Sequence, residues 1–230
     1  MTLFDHAVDY SKDIFRNIRG IKDSQDLFDD LSDDPLNWEA ANTIDVYTHP
    51  LLTDPPLIQR AFDYSKNDFI DYPFENITES RYSDGSTACW YGSETLETTL
   101  YETKYHFTQE ILNSREVFLT QKSITIDRRV ALVNCNGLAF DLSHKAKKSP
   151  WLVDSINYTR CQEIGRRFAR EGHPLLLVPS ARQVSGINLV VFNRKILSNA
   201  RDYCNLQYVY DVHTGLTKIY RGDDELEIPR

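Results

Sequence analysis

The chain has 230 residues, of which 41% are hydrophobic, and this is enough for a buried core in one large domain, with or without an extension. Its formal net charge is −8, and residues 1–75 hold 16 acidic and 6 basic side chains, a net of −10. Residues 76–230 hold 18 acidic and 20 basic side chains, a net of +2. A nucleic-acid-binding protein usually has a strong basic surplus, so nucleic acid is not expected as the main partner.

The four cysteines lie far apart and form no CxxC motif or Cys/His cluster. This pattern predicts reduced thiols in a cytoplasmic protein and gives no sign of a metal site. The start of the chain has no basic segment followed by an apolar run, and no stretch approaches about 18 apolar residues. Neither a cleavable signal nor a membrane span is therefore expected, and the sequence leaves the oligomeric state open.

The first third of the chain is predicted to be mostly helical. Apolar residues among charged ones predict helices over residues 2–31, with a break at Gly20, and a short helix over residues 57–64. We therefore expect an acidic, mostly helical extension at residues 1–75, followed by a catalytic domain at residues 76–230.

Beyond residue 76, short β-rich runs alternate with helices, which predicts a mixed α/β fold of the α+β type. A helix beginning near Ser93 is predicted because apolar or small residues recur at spacings of three and four, at Leu96, Leu100, Thr103, Phe107 and Ile111. A second helix is predicted over residues 154–170, with Gly172 as its C-cap. Strands are predicted at residues 87–91, 116–119, 123–127, 131–133, 174–178, 187–192, 206–212 and 216–220.

Glu102 lies on the opposite side of the first of these helices from its apolar stripe. It follows Leu100 by two residues, which is about 200° of rotation at roughly 100° per residue. Thr98 and His106 lie one turn away on either side. The stripe is expected to pack against the core, so the Glu102 carboxylate is free for another role.

Two blocks of this sequence resemble the RES domain family. The first block is Arg81-Tyr82-Ser83, then Tyr91, then Glu102 eleven residues later. The second is LLLVPSAR at residues 175–182, followed by GINLVVFN at residues 186–193. The family is named for an arginine, a glutamate and a serine, which in this chain correspond to Arg81, Glu102 and Ser180. The resemblance covers about residues 76–200.

The resemblance implies a fold like that of ADP-ribosyltransferases and a bacterial toxin that depletes NAD. It also implies a partner antitoxin that neutralises the toxin. Relatives in this family cleave the bond between nicotinamide and ribose by hydrolysis or phosphorolysis, and some transfer ADP-ribose to a protein instead.

The candidate residues suit this chemistry. Cleavage of an N-glycosidic bond builds positive charge on the ribose, which a carboxylate stabilises, and Glu102 is the candidate. A pyrophosphate suits the planar fork of an arginine, with Arg81 as the first choice and Arg182 as the second. No metal is needed, because the positive charge on its ring already activates nicotinamide as a leaving group.

Three further residues are candidates for contacts with NAD. Tyr82 and Tyr91 have a flat apolar face and a hydroxyl, so either could stack on nicotinamide or hold the ribose. Ser180 follows a predicted buried strand and could bind the ribose or orient the attacking water or phosphate. The alternative for Ser180 is a local bond that caps its own loop.

Other classes of function receive less support from the sequence. It contains no GxGxxG and no GxxxxGK[ST] motif, and Ser180 is not part of a GxSxG motif. Glu97 and Glu102 lie about 140° apart on the predicted helix, which is unsuitable for the paired carboxylates of a glycosidase. A module that binds NAD or ADP-ribose without catalysis remains an alternative, as does transfer of ADP-ribose to a protein.

Overall fold

The structure is a computed structural model that describes residue 4 and residues 6–20, 67–114 and 121–228. Its strands are β1 (Ala7–Arg19), β2 (Glu79–Ser80), β3 (Ser83–Asp84), β4 (Trp90–Ser93), β5 (Ser123–Asp141), β6 (Leu175–Pro179), β7 (Ile187–Val191), β8 (Leu197–Asp211), β9 (Thr217–Arg221) and β10 (Asp224–Glu225). Its α-helices are α1 (Tyr72–Glu75), α2 (Leu96–Asn113) and α3 (Thr159–Glu171), with shorter helical turns at Asn67–Asp71, Pro150–Val153 and Arg194–Ile196.

Eight strands form one sheet in the order β1-β4-β7-β6-β5-β8-β9-β10, and β1 also pairs with β5. The additional pairing closes β1, β4, β7, β6 and β5 into a ring, from which β8, β9 and β10 extend. Strands β5 and β6 are parallel, and the other pairs in this sheet are antiparallel. The predicted α+β class with a mixed sheet is confirmed.

The prediction of a helix over residues 2–31 is wrong for residues 7–19, which form strand β1. All 13 residues of β1 pair with β5, from Ala7 opposite Phe140 to Arg19 opposite Arg128. Tyr10 and Ile14 are buried, as expected for residues on one face of a strand. Residues 7–19 therefore belong to the main sheet, although the predicted boundary at residue 75 itself stays a prediction.

The apolar residues of this segment satisfy both periods, and this explains the error. Val8, Ile14 and Ile18 are all at even positions, as a strand requires, but the gaps of four from Phe4 to Val8 and from Ile14 to Ile18, and of three from Phe15 to Ile18, also suit a helix. Pairing with the 19-residue strand β5 decided in favour of a strand instead of a helix. It gives hydrogen-bond partners to the backbone N–H and C=O groups along one edge of β1. The helix predicted at residues 57–64 and the strand at 116–119 lie outside the described residues.

The other predicted elements agree with the structure in type and differ at their ends. Helix α2 begins at Leu96 with Thr95 as N-cap, three residues after the predicted start near Ser93, because β4 continues to Ser93. Helix α3 begins at Thr159 instead of residue 154, and Gly172 ends it with a φ of 75°, as a left-handed C-cap requires. The strands predicted at 123–127 and 131–133 are parts of the single strand β5.

Three apolar clusters hold the elements together. The first fills the ring and draws on β1, β4, β5, β6 and β7. The second packs α3 against β6 and β7, and includes Tyr82. The third packs Leu100, Phe107 and Ile111 of α2 against β5, β8 and β9, which confirms the predicted apolar stripe. Glu102 is thereby directed away from the third cluster.

A search of the described residues finds no helix that is both long enough and apolar enough to cross a membrane.

Substitution of Ile14 tests whether β1 is part of the core. Ile14 is fully buried within the ring, so Ile14→Ala should lower the free energy of unfolding by about 2–5 kcal/mol in urea titrations. Ser11→Ala, at an exposed position on the same strand, is the control and should change it by less than about 0.5 kcal/mol. Equal small effects of both substitutions would contradict the placement of β1.

Candidate functional site

A cleft of about 500 Å³ lies where the open end of the ring meets α2 and the segment around β2 and β3. It is lined by residues that come from seven separate parts of the chain. They include Arg16 and Asn17 of β1, Ser80 to Tyr82, Tyr91 to Ser93 of β4, Glu102 and His106 of α2, Tyr158, and Asn188 of β7. Four of the residues predicted from the sequence, Arg81, Tyr82, Tyr91 and Glu102, are among them.

Glu102 is the carboxylate on the α2 side of the cleft, and it is half-buried. Its Oε1 accepts a hydrogen bond from Ser180 Oγ at 2.6 Å and another from Asn188 Nδ2 at 2.7 Å. No described residue donates a hydrogen bond to Oε2. The side chain is therefore anchored by one oxygen, while the other can meet a ligand.

Ser180 lies at the start of the loop after β6 and is 7% exposed. Its amide donates to the Gly186 carbonyl at 2.8 Å, which closes the loop. Its Oγ accepts hydrogen bonds from the amides of Arg182 and Gln183, at 3.1 and 3.0 Å, while donating to Glu102. The local capping role and the contact with Glu102 are thus combined in one hydroxyl.

Arg81 lines the cleft, but part of its guanidinium is used to hold a neighbouring loop. Its Nη1 donates to the Asp154 carbonyl at 2.6 Å and to the Leu152 carbonyl at 3.4 Å. The guanidinium also lies 4.4 Å from the centre of the Tyr158 ring. Arg81 and Tyr158 therefore form one wall of the cleft, with a flat cationic surface next to an aromatic one.

The two tyrosines of the first sequence block have different environments. Tyr91 is half-buried, and its hydroxyl pairs with Ser80 Oγ at 2.8 Å and accepts from the Tyr82 amide at 3.0 Å. Tyr82 is fully buried in the cluster beneath α3, so its ring face is covered by protein. Gly165 of α3 allows this approach, because a Cβ there would lie 1.8 Å from the Tyr82 carbonyl oxygen.

Arg182 is not among the residues that line the cleft. Its guanidinium lies 3.4 Å from the centre of the Tyr105 ring, on the helix that carries Glu102. Its Nε and Nη2 are buried and have no hydrogen-bond partner among the described residues. In this position Arg182 fastens the Ser180 loop to α2 instead of facing a ligand in the cleft.

Arg16 is a cleft residue that the sequence analysis missed. Its Nη1 donates to the Tyr91 carbonyl at 2.6 Å, and its guanidinium lies 5.2 Å from the Trp90 ring centre. Its Nε is buried without a hydrogen-bond partner, and no described carboxylate pairs with it. Burial, followed by repulsion from Arg128, lowers the pKa of Arg16 to about 10, so the group is still charged at neutral pH.

The sequence could have indicated Arg16 as a site residue only if residues 7–19 had been predicted to form a strand. In the predicted helix, Arg16 is one of several charged surface residues. In the strand, it lies at an even position after Tyr10 and Ile14, on the face that turns towards the ring. A charged residue within the inward series of a strand is a candidate functional residue.

Asn17 and Asn188 were also missed, and each joins a polar network at the cleft. Asn17 Nδ2 donates to Thr103 Oγ1 at 3.3 Å and to the Tyr208 hydroxyl at 3.2 Å, and its Oδ1 accepts from Arg128 Nε at 2.6 Å. This network joins β1, α2, β5 and β8 next to Glu102. In the second sequence block, Asn188 is the polar residue of an apolar run, the signal that could have identified it.

The described residues contain no group of three or more His, Cys, Asp or Glu side chains arranged to hold a metal ion. The groups offered by the cleft include the anchored carboxylate of Glu102 with a free oxygen, the half-buried Arg16 without a counter-charge among the described residues, and the wall of Arg81 and Tyr158. Such a set suits a ligand that combines a diphosphate with aromatic rings and a bond whose cleavage produces positive charge.

The chain is similar to a family model and, at low identity, to a chain of a solved structure. A chain in the crystal structure of the M. tuberculosis MbcT–MbcA toxin–antitoxin complex has 12% sequence identity and a TM-score of 0.46, with 86% of each chain covered. A search of curated proteins returned no match. The family model of the RES domain matches residues 55–211, which is more than half of the chain. The chain therefore belongs to the RES domain family.

Proposed function

We propose that this protein is an enzyme that consumes NAD by cleaving the bond between nicotinamide and ribose. The observation that carries the proposal is the anchored carboxylate of Glu102, with Oε2 unoccupied, in the same cleft as the buried guanidinium of Arg16. Membership of the RES domain family supports NAD as the substrate. In this role the protein is a toxin that depletes NAD, and a cognate antitoxin is its expected protein partner.

The chemical step needs a stabiliser of positive charge. The bond between C1′ of the ribose and the nicotinamide nitrogen breaks, and its electron pair neutralises the nicotinamide ring as it leaves. The ribose acquires oxocarbenium character, which the negative charge of Glu102 stabilises more strongly in the transition state than in the ground state. Water as acceptor then yields ADP-ribose and a proton, whereas phosphate yields a phosphorylated ADP-ribose.

Binding and orientation fall to the other residues of the cleft. Arg16 is half-buried, and among the described residues its Nε has no hydrogen-bond partner and no carboxylate pairs with it, so it is prepared for an anionic group such as a diphosphate. Arg81 contributes a second positive charge to the lining, and Tyr158 and Tyr91 supply aromatic surface for a base or the nicotinamide.

Replacement of Glu102 tests the central role. Glu102→Gln keeps the shape of the side chain and removes its charge, so kcat for nicotinamide release should fall roughly 10²–10³-fold. Glu97→Gln, on an exposed face of the same helix, is the matched control and should retain normal turnover. Nicotinamide is measured by chromatography with and without phosphate. Normal turnover by Glu102→Gln would remove Glu102 from the mechanism, and no release by the unmodified protein would contradict the proposed function.

The acceptor can be identified with NAD that is labelled in its adenine. Label in free ADP-ribose indicates hydrolysis, label in a phosphorylated product that requires phosphate indicates phosphorolysis, and label on protein indicates transfer. Because the proposed reaction has water or phosphate as its acceptor, we expect label in a small product and no labelled protein. Label on protein as the main product would contradict this expectation.

Replacement of Arg16 tests anion binding by the first strand. Arg16→Lys keeps a charge but loses the planar fork, so the KM for NAD should rise about tenfold or more, with a smaller change in kcat. Arg19→Lys is the control on the same strand, because Arg19 is exposed and outside the cleft lining. A KM equal to that of the control would show that Arg16 does not bind the substrate.

A further inference from the structure

We propose that Asn188 and Ser93 are positioning residues that act on the reaction through Glu102, and that Ser180 has the same role from the loop after β6. The inference rests on the proposed function, because it assigns Glu102 the central part in cleavage. It concerns a chain of hydrogen bonds across β4, β7, α2 and the loop after β6. The two donors to Glu102, Asn188 and Ser180, are themselves held by other groups.

The strand register places the first two members side by side. Ser93 of β4 is paired with Asn188 of β7 in the sheet. Ser93 Oγ donates to Asn188 Oδ1 at 2.7 Å, and Ser93 is 4% exposed, so water has little access to this bond. Two neighbouring strands therefore fix the position of the amide before it contacts α2.

The chemistry of the groups determines which atom donates and which accepts in each of these hydrogen bonds. A carboxylate only accepts hydrogen bonds, so Asn188 must direct its NH₂ group towards Glu102, and Nδ2 lies 2.7 Å from Oε1. The amide oxygen must then face Ser93, whose hydroxyl can donate. Ser93 thus prevents the amide from turning over and presenting its oxygen to the carboxylate.

Ser180 provides the second hydrogen bond to Glu102 Oε1. Its Oγ accepts from the amides of Arg182 and Gln183, so its single proton is directed to Glu102 Oε1 at 2.6 Å. The proton of this hydroxyl is committed to Glu102. Ser180 therefore acts as a donor that holds the carboxylate, in place of the contact with ribose or with an attacking water that its sequence position suggested.

The consequence for Glu102 is a fixed direction. A glutamate has three side-chain torsions and adopts several rotamers when it is unrestrained. Two donors on the same oxygen restrict those rotamers and stabilise the negative charge, while Oε2 remains free for the ribose. Small errors in the position of such a group lower the rate more than the affinity.

The test uses a substitution that leaves size and the Ser93 bond intact. Asn188→Asp replaces the donor by a carboxylate oxygen that repels Glu102, so kcat should fall about 10–100-fold with KM for NAD within about twofold. Asn136→Asp, on an exposed part of β5, is the matched control and should match the unmodified protein. Ser93→Ala should lower kcat less, by up to about tenfold, because it acts one step further away.

A double-mutant cycle shows whether Asn188 acts through Glu102. In the Glu102→Gln background, Asn188→Asp should change kcat by less than about twofold, because the carboxylate it would position is gone. A full additional loss there, or an effect on KM alone, would overturn the inference. A second cycle, with Asn188→Ala and Glu102→Ala, is measured by urea unfolding. The double variant should lose less free energy of unfolding than the sum of the two single losses.

The unfolding cycle also separates this inference from the proposed function. If the unmodified protein releases no nicotinamide but unfolding shows coupling between Asn188 and Glu102, the proposed function fails and the hydrogen-bonded arrangement stands. If unfolding effects are additive, the arrangement is wrong whether or not the protein cleaves NAD.

Discussion

The pairing of β1 with β5 is the constraint on which the rest of the structure depends. It joins residues at the start of the chain to residues more than 100 positions later, and it closes five strands into a ring. Ile14 then fills the ring, and Arg16 reaches the cleft beside β4. Without this pairing, Arg16 and Asn17 would no longer lie in the lining of the cleft.

The charges in the cleft are kept apart by neutral partners. The Glu102 carboxylate is held by a hydroxyl and an amide, and the Arg16 guanidinium is held by a backbone carbonyl. No ion pair among the described residues joins the two. Because neither charge neutralises the other, each can act on a ligand, and burial strengthens the field that it exerts. This preparation before binding is what a reaction through a charged transition state requires.

Sequence reasoning succeeded where one local rule determined the outcome. The stripe of α2 identified the packed face, so Glu102 was correctly directed away from it, and the glycine after α3 was correctly read as a left-handed cap. The surroundings of other residues depended on distant partners. Tyr82 lines the cleft, and its ring is buried in the cluster that includes α3. Arg182 lies against Tyr105 of α2. The ligand contacts predicted for both residues stay predictions.

The sequence by itself determined the α+β class and the family, because these follow from periodicity and from two short blocks with matching spacing. Only the tertiary structure decided that residues 7–19 form a strand and that Arg16, Ser93 and Asn188 take part in the site. Apolar spacing in β1 suits two periods, and the choice between them depends on hydrogen bonds to β5. Cross-strand neighbours likewise depend on register, which a pattern of single residues does not specify.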